Sequence, residues 1–309
     1  MKAIVFDHYG GPEVLELRDM PRPVVRPSDV LIEVHAASVN PVDWKIRSGL
    51  LKEMVRYDFP LIPGWDVAGI VVDTGSEVGS FKKGDAVYSR TDISRNGTYA
   101  EYVAVDEKYV ALKPTLLTYE EAASIPLVGL TAWQALVDFA GIKKGDRVLI
   151  HAGAGGVGTF AIQLAKDFCC YVATTCSTSN VEFVRSLGAD LAVDYTKSDF
   201  TSELQGFDVV FDTLGGDIYR SSFKVLKQQS VMISILEQPE HDLADRAGVR
   251  AGYLFMHPDG KGLAQIADFI EKGLIKPVVK NVFTLADARK AHELSESRHA
   301  QGKIVLKVR

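Results

Sequence analysis

The sequence has only three cysteines among 309 residues, and they cluster at positions 169, 170 and 176. An odd, clustered set of this kind does not make a disulfide framework. It does not make a zinc site either, because tetrahedral zinc needs three or four Cys, His or carboxylate ligands and the seven histidines are scattered without ligand spacing. We therefore expect no bound metal, and we interpret the cysteines as core-filling residues.

Long apolar runs and an excess of basic charge are also missing. No stretch approaches the roughly 18 consecutive apolar residues that span a bilayer, so we expect no membrane segment. The 35 Lys and Arg residues are outnumbered by 40 Asp and Glu residues, for a net charge of −5. This balance argues against a nucleic-acid partner, which needs a basic face.

Residues 1–6 read as a first strand with no signal peptide before it, so we expect a cytoplasmic protein.

Two patterns divide the chain, and its length itself favours two domains. Up to about residue 120, short apolar runs are separated by turn residues, which predicts a barrel-like β domain. From there on, strands alternate with helices, which predicts a parallel sheet with helices on both faces. The tail after residue 275 reads as strand, helix and strand, and could return to the first domain. We therefore predict an α/β protein with one domain over 1–121 and 275–309 and another over 122–274.

Several local boundaries follow from the same patterns. Capping-box spacing predicts helix starts at Thr118–Glu121 and at Ser179–Glu182, and the first of these helical runs is expected to continue to Phe139. The remaining predicted elements near the candidate site are the strands 30–34, 148–151, 170–175 and 192–193, the helix 158–168 and a loop over 40–45.

The segment 148–158, with the sequence VLIHAGAGGVG, is the most informative part of the chain. A buried strand leads into the pattern Gly153-x-Gly155-x-x-Gly158, and a helix with one apolar face follows. In this context the first glycine permits a tight turn, the second lets the backbone approach a pyrophosphate, and the third lets helix and strand pack closely. The segment therefore predicts a dinucleotide site, with the anion at the helix N-terminus. The residues expected around that anion are Ala154, Gly155, Gly156 and Val157.

Four sequence blocks, in the same order along the chain, resemble those of medium-chain dehydrogenases/reductases. The blocks are Asn40-Pro41-Val42-Asp43, Pro63-Gly64-Trp65-Asp66-Val67-Ala68-Gly69, Gly129-Leu130-Thr131-Ala132 and Ala152-Gly153-Ala154-Gly155-Gly156-Val157-Gly158. Within that superfamily the chain resembles the zinc-free quinone oxidoreductases and their enone-reducing relatives over essentially its whole length. The resemblance implies a GroES-like β domain plus a Rossmann doubly wound parallel-sheet domain, and it allows a homodimer.

The chain departs from the zinc alcohol dehydrogenases of that superfamily at their metal ligands. Asn40 stands where they have a Cys, Trp65 where they have a His, and Leu127 where they have a third ligand, a Cys. Without a Lewis acid, an alkoxide cannot be stabilised in the usual zinc way. A quinone or an α,β-unsaturated ketone is already electrophilic and delocalises the developing charge, so the resemblance implies hydride transfer to such an acceptor without zinc.

The end of the second strand of the nucleotide domain predicts the choice of cofactor. An NAD-type site would place an acid here on the ribose hydroxyls, whereas this chain has Ser177 and Thr178, which can donate to a 2′-phosphate. We therefore predict NADPH, with Arg298 or Lys303 as sources of positive charge; the alternative for Ser177 is a plain turn residue. The other cofactor positions implied by the resemblance are Thr131, Tyr195, Leu214, Gly215, Leu254, Phe255, Met256, His299 and Lys303.

The block from 40 to 45 holds the predicted catalytic residues Asn40, Asp43 and Lys45. By resemblance these polar groups approach the nicotinamide and the substrate, and Lys45 could donate to a developing enolate oxygen. The alternatives are that Asn40 and Asp43 only fix the loop through local Asx bonds and that Lys45 is a solvated surface residue. Nearby aromatic residues such as Trp65 could line an apolar acceptor pocket, but β-domain core is the preferred reading.

The leading hypothesis is therefore an NADPH-dependent oxidoreductase that reduces quinones or related conjugated carbonyls by hydride transfer without zinc. Two alternatives stay open: an alkenal or enone double-bond reductase, and a non-catalytic NADPH-binding redox sensor. In the first two cases the partner is a small-molecule quinone or enone, and the sequence does not say which one.

Overall fold

The computed structural model describes all residues from Met1 to Arg309. Its strands are β1 (Lys2–Val5), β2 (Glu16–Asp19), β3 (Asp29–Val39), β4 (Asp66–Thr74), β5 (Ala86–Arg90), β6 (Tyr102–Asp106), β7 (Val110–Leu112), β8 (Arg147–Ile150), β9 (Tyr171–Cys176), β10 (Leu191–Asp194), β11 (Phe207–Asp212), β12 (Leu226–Ser234), β13 (Arg250–Tyr253), β14 (Val279–Thr284) and β15 (Lys303–Lys307). Its helices are α1 (Pro41–Arg47), α2 (Tyr119–Ala123), α3 (Pro126–Trp133), α4 (Gly156–Asp167), α5 (Val181–Ser186), α6 (Phe200–Glu203), α7 (Gly216–Ser222), α8 (His241–Ala247), α9 (Gly260–Glu271) and α10 (Ala288–Glu296). No helix is long and apolar enough to cross a bilayer.

The chain folds into two compact units. The first holds 1–127, 258–272 and 277–309, and the second holds 128–257 and 273–276. Helix α9 belongs to the first unit, where the Tyr88 hydroxyl donates to the Leu263 carbonyl at 2.6 Å. The domain boundaries at 121/122 and 274/275 stay a prediction.

The first unit is built on a seven-stranded sheet in the order β14-β15-β3-β4-β5-β7, with β6 also paired to β3. Strand β15 runs antiparallel to β3 and sets Ile304 opposite Val39. This register brings Lys303 to the end of β3, where Asn40 begins the next helix. The alternating inward residues of β3, β4, β5 and β6 form one apolar core, as expected of strands with one buried face.

The second unit confirms the predicted parallel sheet. Its six strands run parallel in the order β10-β9-β8-β11-β12-β13, which is the doubly wound order 3-2-1-4-5-6. The order reverses between β8 and β11. In such sheets ligands bind outside the carboxyl ends of the strands at this reversal, and the glycine segment follows β8 directly.

Two local predictions for the first unit were too short or of the wrong type. The strand predicted over 30–34 extends over all of β3, because small and apolar residues continue to Val39. The block predicted as a loop over 40–45 is the helix α1, which begins after Asn40 with Pro41 at its first position. Proline is favoured there because its missing N–H would have no partner in the helix anyway.

Helix starts were predicted with mixed success. The capping box at Thr118 and Glu121 is confirmed, since the Glu121 N–H donates to the Thr118 hydroxyl at 3.2 Å and the Thr118 N–H donates to the Glu121 carboxylate at 2.9 Å. The box at Ser179 and Glu182 is wrong, because Ser179 lies in a 3₁₀ turn over 178–180 and caps nothing. The long helix predicted to Phe139 is divided into α2, α3 and a π-helical segment over 134–140.

Candidate active site

The three glycines of the motif have different environments in the second unit. A Cβ added at Gly153 would lie 2.0 Å from the Thr174 hydroxyl, and one at Gly158 would lie 2.3 Å from the Ala152 carbonyl oxygen. A Cβ at Gly155 would meet only that same carbonyl oxygen, at 3.3 Å. The fold therefore requires glycine at 153 and 158, whereas a side chain at Gly155 would be crowded by one atom only and would need a shift of a few tenths of an ångström.

Gly155 lies at the beginning of α4. Gly155 is the N-cap residue in an extended conformation, no side chain caps the helix, and Gly156 and Val157 form its first turn. The first N–H groups of a helix have no partner within it and carry a partial positive charge. A helix N-terminus that no side chain caps fits the phosphate of a nucleotide. Ala154, 8% exposed, precedes this turn.

A carboxylate that the sequence reasoning missed lies beside the end of β9, on the neighbouring strand β10. Thr178 donates to Asp194 at 2.6 Å, and Lys197 lies 3.1 Å from the same carboxylate. Asp194 ends β10 and lies opposite Cys176 in the parallel register, so a search along β9 alone could not find it. Ser177 accepts a hydrogen bond from the Asn180 amide at 2.9 Å, and its hydroxyl lies 3.3 Å from that of Ser179, where either oxygen can donate.

Exposed apolar side chains mark the carboxyl edge of the parallel sheet. Tyr195 follows β10 and is 62% exposed, Leu214 follows β11 and is 46% exposed, and Phe255 follows β13 and is 45% exposed. Leu236, after β12, is 43% exposed. These side chains follow four strands of one sheet, β10 at one end and the adjacent β11, β12 and β13 at the other, at the edge where doubly wound sheets bind their ligands. The predicted residues Tyr195, Leu214 and Phe255 are therefore exposed there.

Two buried polar side chains shape the loops at this edge. Asp212 accepts from the N–H groups of Leu214 and Gly215, each at 3.0 Å, and Gly215 has φ 73° and ψ −168°, a conformation open essentially to glycine alone. Gln134 brackets His257, donating to its carbonyl at 2.9 Å and accepting from its N–H at 3.2 Å. That bracket fixes the segment that includes Leu254, Phe255 and Met256. Sequence reasoning missed these two residues. Gln134 bonds backbone 123 positions away, and Asp212 bonds the N–H groups of the turn that follows it, which no pattern of residue types reveals.

In the first unit, Asp43 is a structural residue at the start of α1. It is fully buried, and its Oδ2 accepts from the Asn40 N–H at 2.8 Å and from the Tyr99 hydroxyl at 2.9 Å. Burial raises the pKa of Asp43 to about 7. This geometry corresponds to the alternative in which Asp43 fixes the local backbone.

A chain of buried side chains continues from Tyr99. The Tyr99 hydroxyl lies 3.3 Å from Nε2 of His292, and Nδ1 of His292 lies 3.1 Å from Arg47. Arg47 in turn pairs with Glu296. Burial, with Arg47 beside it, lowers the pKa of His292 to about 3, so the ring is neutral. Because arginine only donates, Nδ1 accepts, Nε2–H donates to Tyr99, and Tyr99 donates to Asp43.

Asn40, Lys303 and Asp66 form a second buried group. The Asn40 amide donates to Asp66 at 2.8 Å, while its oxygen accepts from the Lys303 ammonium, which also donates to the Val39 carbonyl at 3.1 Å. Burial lowers the pKa of Lys303 to about 8. The structure therefore places Lys303, predicted as a cofactor residue, against Asn40, and its ammonium is committed there.

The three positions that correspond to zinc ligands hold no side-chain atom that is free to coordinate a metal. Both ends of the Asn40 amide are engaged, the Trp65 indole N–H donates to the Arg95 carbonyl at 3.0 Å, and Leu127 contributes only its backbone N–H, to Asp66 at 3.0 Å. No group of three or more His, Cys, Asp or Glu side chains in the chain could hold a metal ion.

Lys45 is the predicted catalytic residue whose side chain is uncommitted. It is half-buried, its Nζ makes no hydrogen bond or ion pair, and it lies 5.9 Å from the centre of the Trp44 ring. Burial and the neighbouring Arg298 lower the pKa of Lys45.

Two further predicted cofactor residues differ in exposure. His299 is exposed in the loop before β15. Thr131, a predicted cofactor position, is buried within α3.

Comparisons with known proteins agree with this architecture. A family model described as "Alcohol dehydrogenase GroES-like domain" matches residues 26–115, and one described as "Zinc-binding dehydrogenase" matches residues 187–306. The chain is 39% identical over 318 residues to an NADPH-dependent alkenal/one oxidoreductase, chloroplastic, of Arabidopsis thaliana, covering 99% of this chain and 79% of that protein.

Solved structures give the same result. The quinone oxidoreductase from Coxiella burnetii has a TM-score of 0.93 and 38% identity, covering 100% of this chain and 99% of that one. The Escherichia coli quinone oxidoreductase complexed with NADPH has a TM-score of 0.91 and 27% identity, with 100% of both chains covered. The chain therefore belongs to the medium-chain dehydrogenase/reductase superfamily of oxidoreductases, in the branch of zinc-free quinone oxidoreductases and enone reductases. The predicted fold class is confirmed with the family.

Proposed function

We propose that this protein is an NADPH-dependent reductase of quinones or related conjugated carbonyls that acts by hydride transfer without zinc. The observation that carries the proposal is the N-terminus of α4 at Gly155, which no side chain caps and where an added Cβ would be crowded by one atom only, at 3.3 Å, in contrast to the clashes at Gly153 and Gly158. The residues proposed to hold the cofactor are Thr131, Ala154, Gly155, Gly156, Val157, Ser177, Thr178, Tyr195, Leu214, Gly215, Leu254, Phe255, Met256 and His299. When bound, NADPH supplies the hydride that reduces the acceptor.

Lys45 is proposed to act on the acceptor. A half-buried ammonium with no partner is free to donate to an oxygen on which negative charge develops. Asn40, with Lys303 and Asp66 behind it, has a fixed orientation, and Asp43 holds the first turn of the same helix. We assign Asn40, Asp43, Asp66 and Lys303 as positioning residues for the block that carries Lys45.

The preference for NADPH rests on Ser177, which can donate and carries no charge. Asp194 is the competing feature, since a carboxylate beside Thr178 would repel a 2′-phosphate, but Lys197 offsets its charge. Ser177→Asp should raise the Michaelis constant for NADPH, and Asp194→Asn should lower it. If Asp194→Asn instead weakens NADH while wild type uses both cofactors equally, Asp194 is a ribose ligand and the preference is wrong.

The two alternative functions give different results in one assay. Steady-state NADPH oxidation is measured with a quinone, an enal and an enone. A reductase of the proposed kind consumes NADPH with a quinone or an enone, and a strict double-bond reductase does so only with the enal and enone, an option that the free Lys45 favours. A redox sensor binds NADPH and shows turnover with none of the three, which would contradict the proposal. The cytoplasmic location and the homodimer stay predictions.

A further inference from the structure

Arg90, the last residue of β5, is a buried cation without a partner. It is 2% exposed, and its Nε and Nη1 atoms are buried with no hydrogen-bond acceptor. It forms no ion pair with any carboxylate, and the centre of the Trp65 ring lies 6.0 Å from its guanidinium carbon. Arginine stays protonated under all physiological conditions. A buried charge of this kind is costly unless an acceptor satisfies it.

The carboxylates near Arg90 do not pair with it. Asp66 lies opposite Arg90 across the β4–β5 pair, but its oxygens accept from Ser38, Asn40 and the Leu127 N–H. Asp43 accepts from Asn40 and Tyr99 through Oδ2 only, and its Oδ1 is buried without a partner. Arg90 influences the pKa of Asp43 but forms no ion pair with it, so the Arg90 donors lack an acceptor within the protein.

Two aromatic side chains near Arg90, Tyr57 and Trp65, donate their polar hydrogens to backbone carbonyls. The Tyr57 hydroxyl donates to the Ile93 carbonyl at 2.7 Å, and the Trp65 indole N–H donates to the Arg95 carbonyl at 3.0 Å. The two rings lie 6.3 Å apart. Trp65 is fully buried in the core, whereas Tyr57 is only partly buried against it. Since its hydroxyl is used by the backbone, the Tyr57 ring offers apolar surface near a guanidinium that lacks an oxygen partner. The adjacent Thr91 hydroxyl is also buried without a partner.

We propose that Arg90 recognises a carboxylate on the acceptor, so that the preferred substrates are conjugated keto acids with an apolar body. Planar guanidinium groups match carboxylates better than any other side chain does. This inference rests on the proposed function for the identity of the ligand as an acceptor, and it adds the substrate class. The carboxylate is not changed by the reaction, so Arg90 acts in specificity.

The first test is direct binding, independent of turnover. Isothermal titration of the full chain, with and without saturating NADP⁺, uses 3-benzoylpropionate and its uncharged amide as unreactive probes. Wild type should bind the carboxylate about 100-fold more tightly than the amide, the difference expected from charge-assisted hydrogen bonds to a buried group. Arg90→Met should remove that difference, and Arg90→Lys should restore part of it. Arg246→Met, at an exposed arginine, controls for the loss of one positive charge.

The second test is turnover with 3-benzoylacrylate and its amide. Arg90→Met should lower kcat/KM about 100-fold for the acid only, with the Michaelis constant for NADPH unchanged. An equal loss with both acceptors, a loss confined to NADPH affinity, or no change would each overturn the inference. If wild type reduces neither acceptor while Arg90-dependent binding of the carboxylate persists, the proposed function fails and carboxylate recognition stands. Thermal melting checks folding, and if Arg90→Met does not fold, Arg90→Lys alone must lower the preference for the acid.

Discussion

Asp43 and Lys45 are two residues apart on α1 and differ in almost every physical respect. Asp43 is fully buried and hydrogen-bonded at one oxygen, whereas Lys45 is half-buried and unpaired. Substitutions at these positions should therefore separate stability from chemistry.

Lys45→Met should lower the turnover number by about 100-fold with an enone, and by less with a quinone, whose ring spreads the developing charge. The substitution keeps the length of the side chain and removes only its donor. Steady-state kinetics with both acceptors measures the effect, and Lys52→Met, at an exposed lysine, is the control. If only the Michaelis constant for NADPH rises, Lys45 contacts the cofactor. Unchanged constants for both acceptors would make it a surface residue.

Asp43→Asn should flatten the pH dependence of stability. Burial raises the pKa of Asp43 from 3.8 to about 7, so the folded protein keeps a proton that the unfolded chain releases near pH 4. The stability from that proton is complete below pH 4 and is lost as the pH rises through 7. Asparagine cannot ionise, and its oxygen can still accept from Asn40 and Tyr99. Melting temperatures from pH 4 to 8 should fall less for the variant, and parallel profiles would contradict the assignment.

The sequence pointed to the right residue types in this block but not to their partners. Asn40, Asp43 and Lys45 were predicted as one polar group after β3. Their actual partners, Asp66, Tyr99 and Lys303, are 26 to 263 positions away along the chain, and no local pattern encodes such hydrogen bonds. The Asn-x-x-Asp spacing at 40 and 43 was a usable signal, because it resembles a capping box and is followed by proline.

At the scale of elements, the glycines between β8 and α4 have different roles. Gly153 and Gly158 are required by the fold, and Gly155 is proposed to bind the cofactor. Gly155→Val should leave the melting temperature of the ligand-free protein nearly unchanged and abolish its shift with NADPH. At about 100 times the dissociation constant, NADPH should stabilise wild type by about 2.7 kcal/mol. A variant that kept the full shift would show that the phosphate binds elsewhere.

Gly158→Val is the matched control on the same turn. Its side chain would strike the Ala152 carbonyl, 2.3 Å from the new Cβ, so it should destabilise the ligand-free protein by about 1–3 kcal/mol, as overpacking does. Denaturant unfolding of both variants tests this difference. Equal destabilisation would mean that the two glycines serve the fold alike.

Elements with a strong periodic pattern were predicted well, and those governed by backbone conformation were not. The βαβ alternation identified the parallel strands because buried strands read as apolar runs. The helix expected to run to Phe139 is interrupted after Ala123 and changes to π geometry after Trp133. Hydrophobicity is continuous across both changes, so no pattern of apolar residues distinguishes them. Ser179 failed as a cap because a 3₁₀ turn uses the residues before α5.

At the scale of the whole molecule, we propose different roles for the two units, the cofactor for the second and the acceptor for the first. The second unit has an open helix N-terminus at the reversal point of its parallel sheet, and the first has buried polar groups behind a free lysine. The order of strands could be expected from the family resemblance. Asp194 beside Thr178 and the unpaired Arg90 could not, because each depends on which side chains neighbouring strands place together.

The central claim is hydride transfer from NADPH to a conjugated acceptor without zinc. It is tested most directly by reducing an enone with NADPH that carries deuterium at the transferable C4 position, in the presence of a strong chelator, and by locating the label by mass spectrometry and NMR. We predict one deuterium per product molecule, on the carbon β to the carbonyl, at a rate unaffected by the chelator. Product without deuterium, or turnover abolished by the chelator and restored by zinc, would contradict the account.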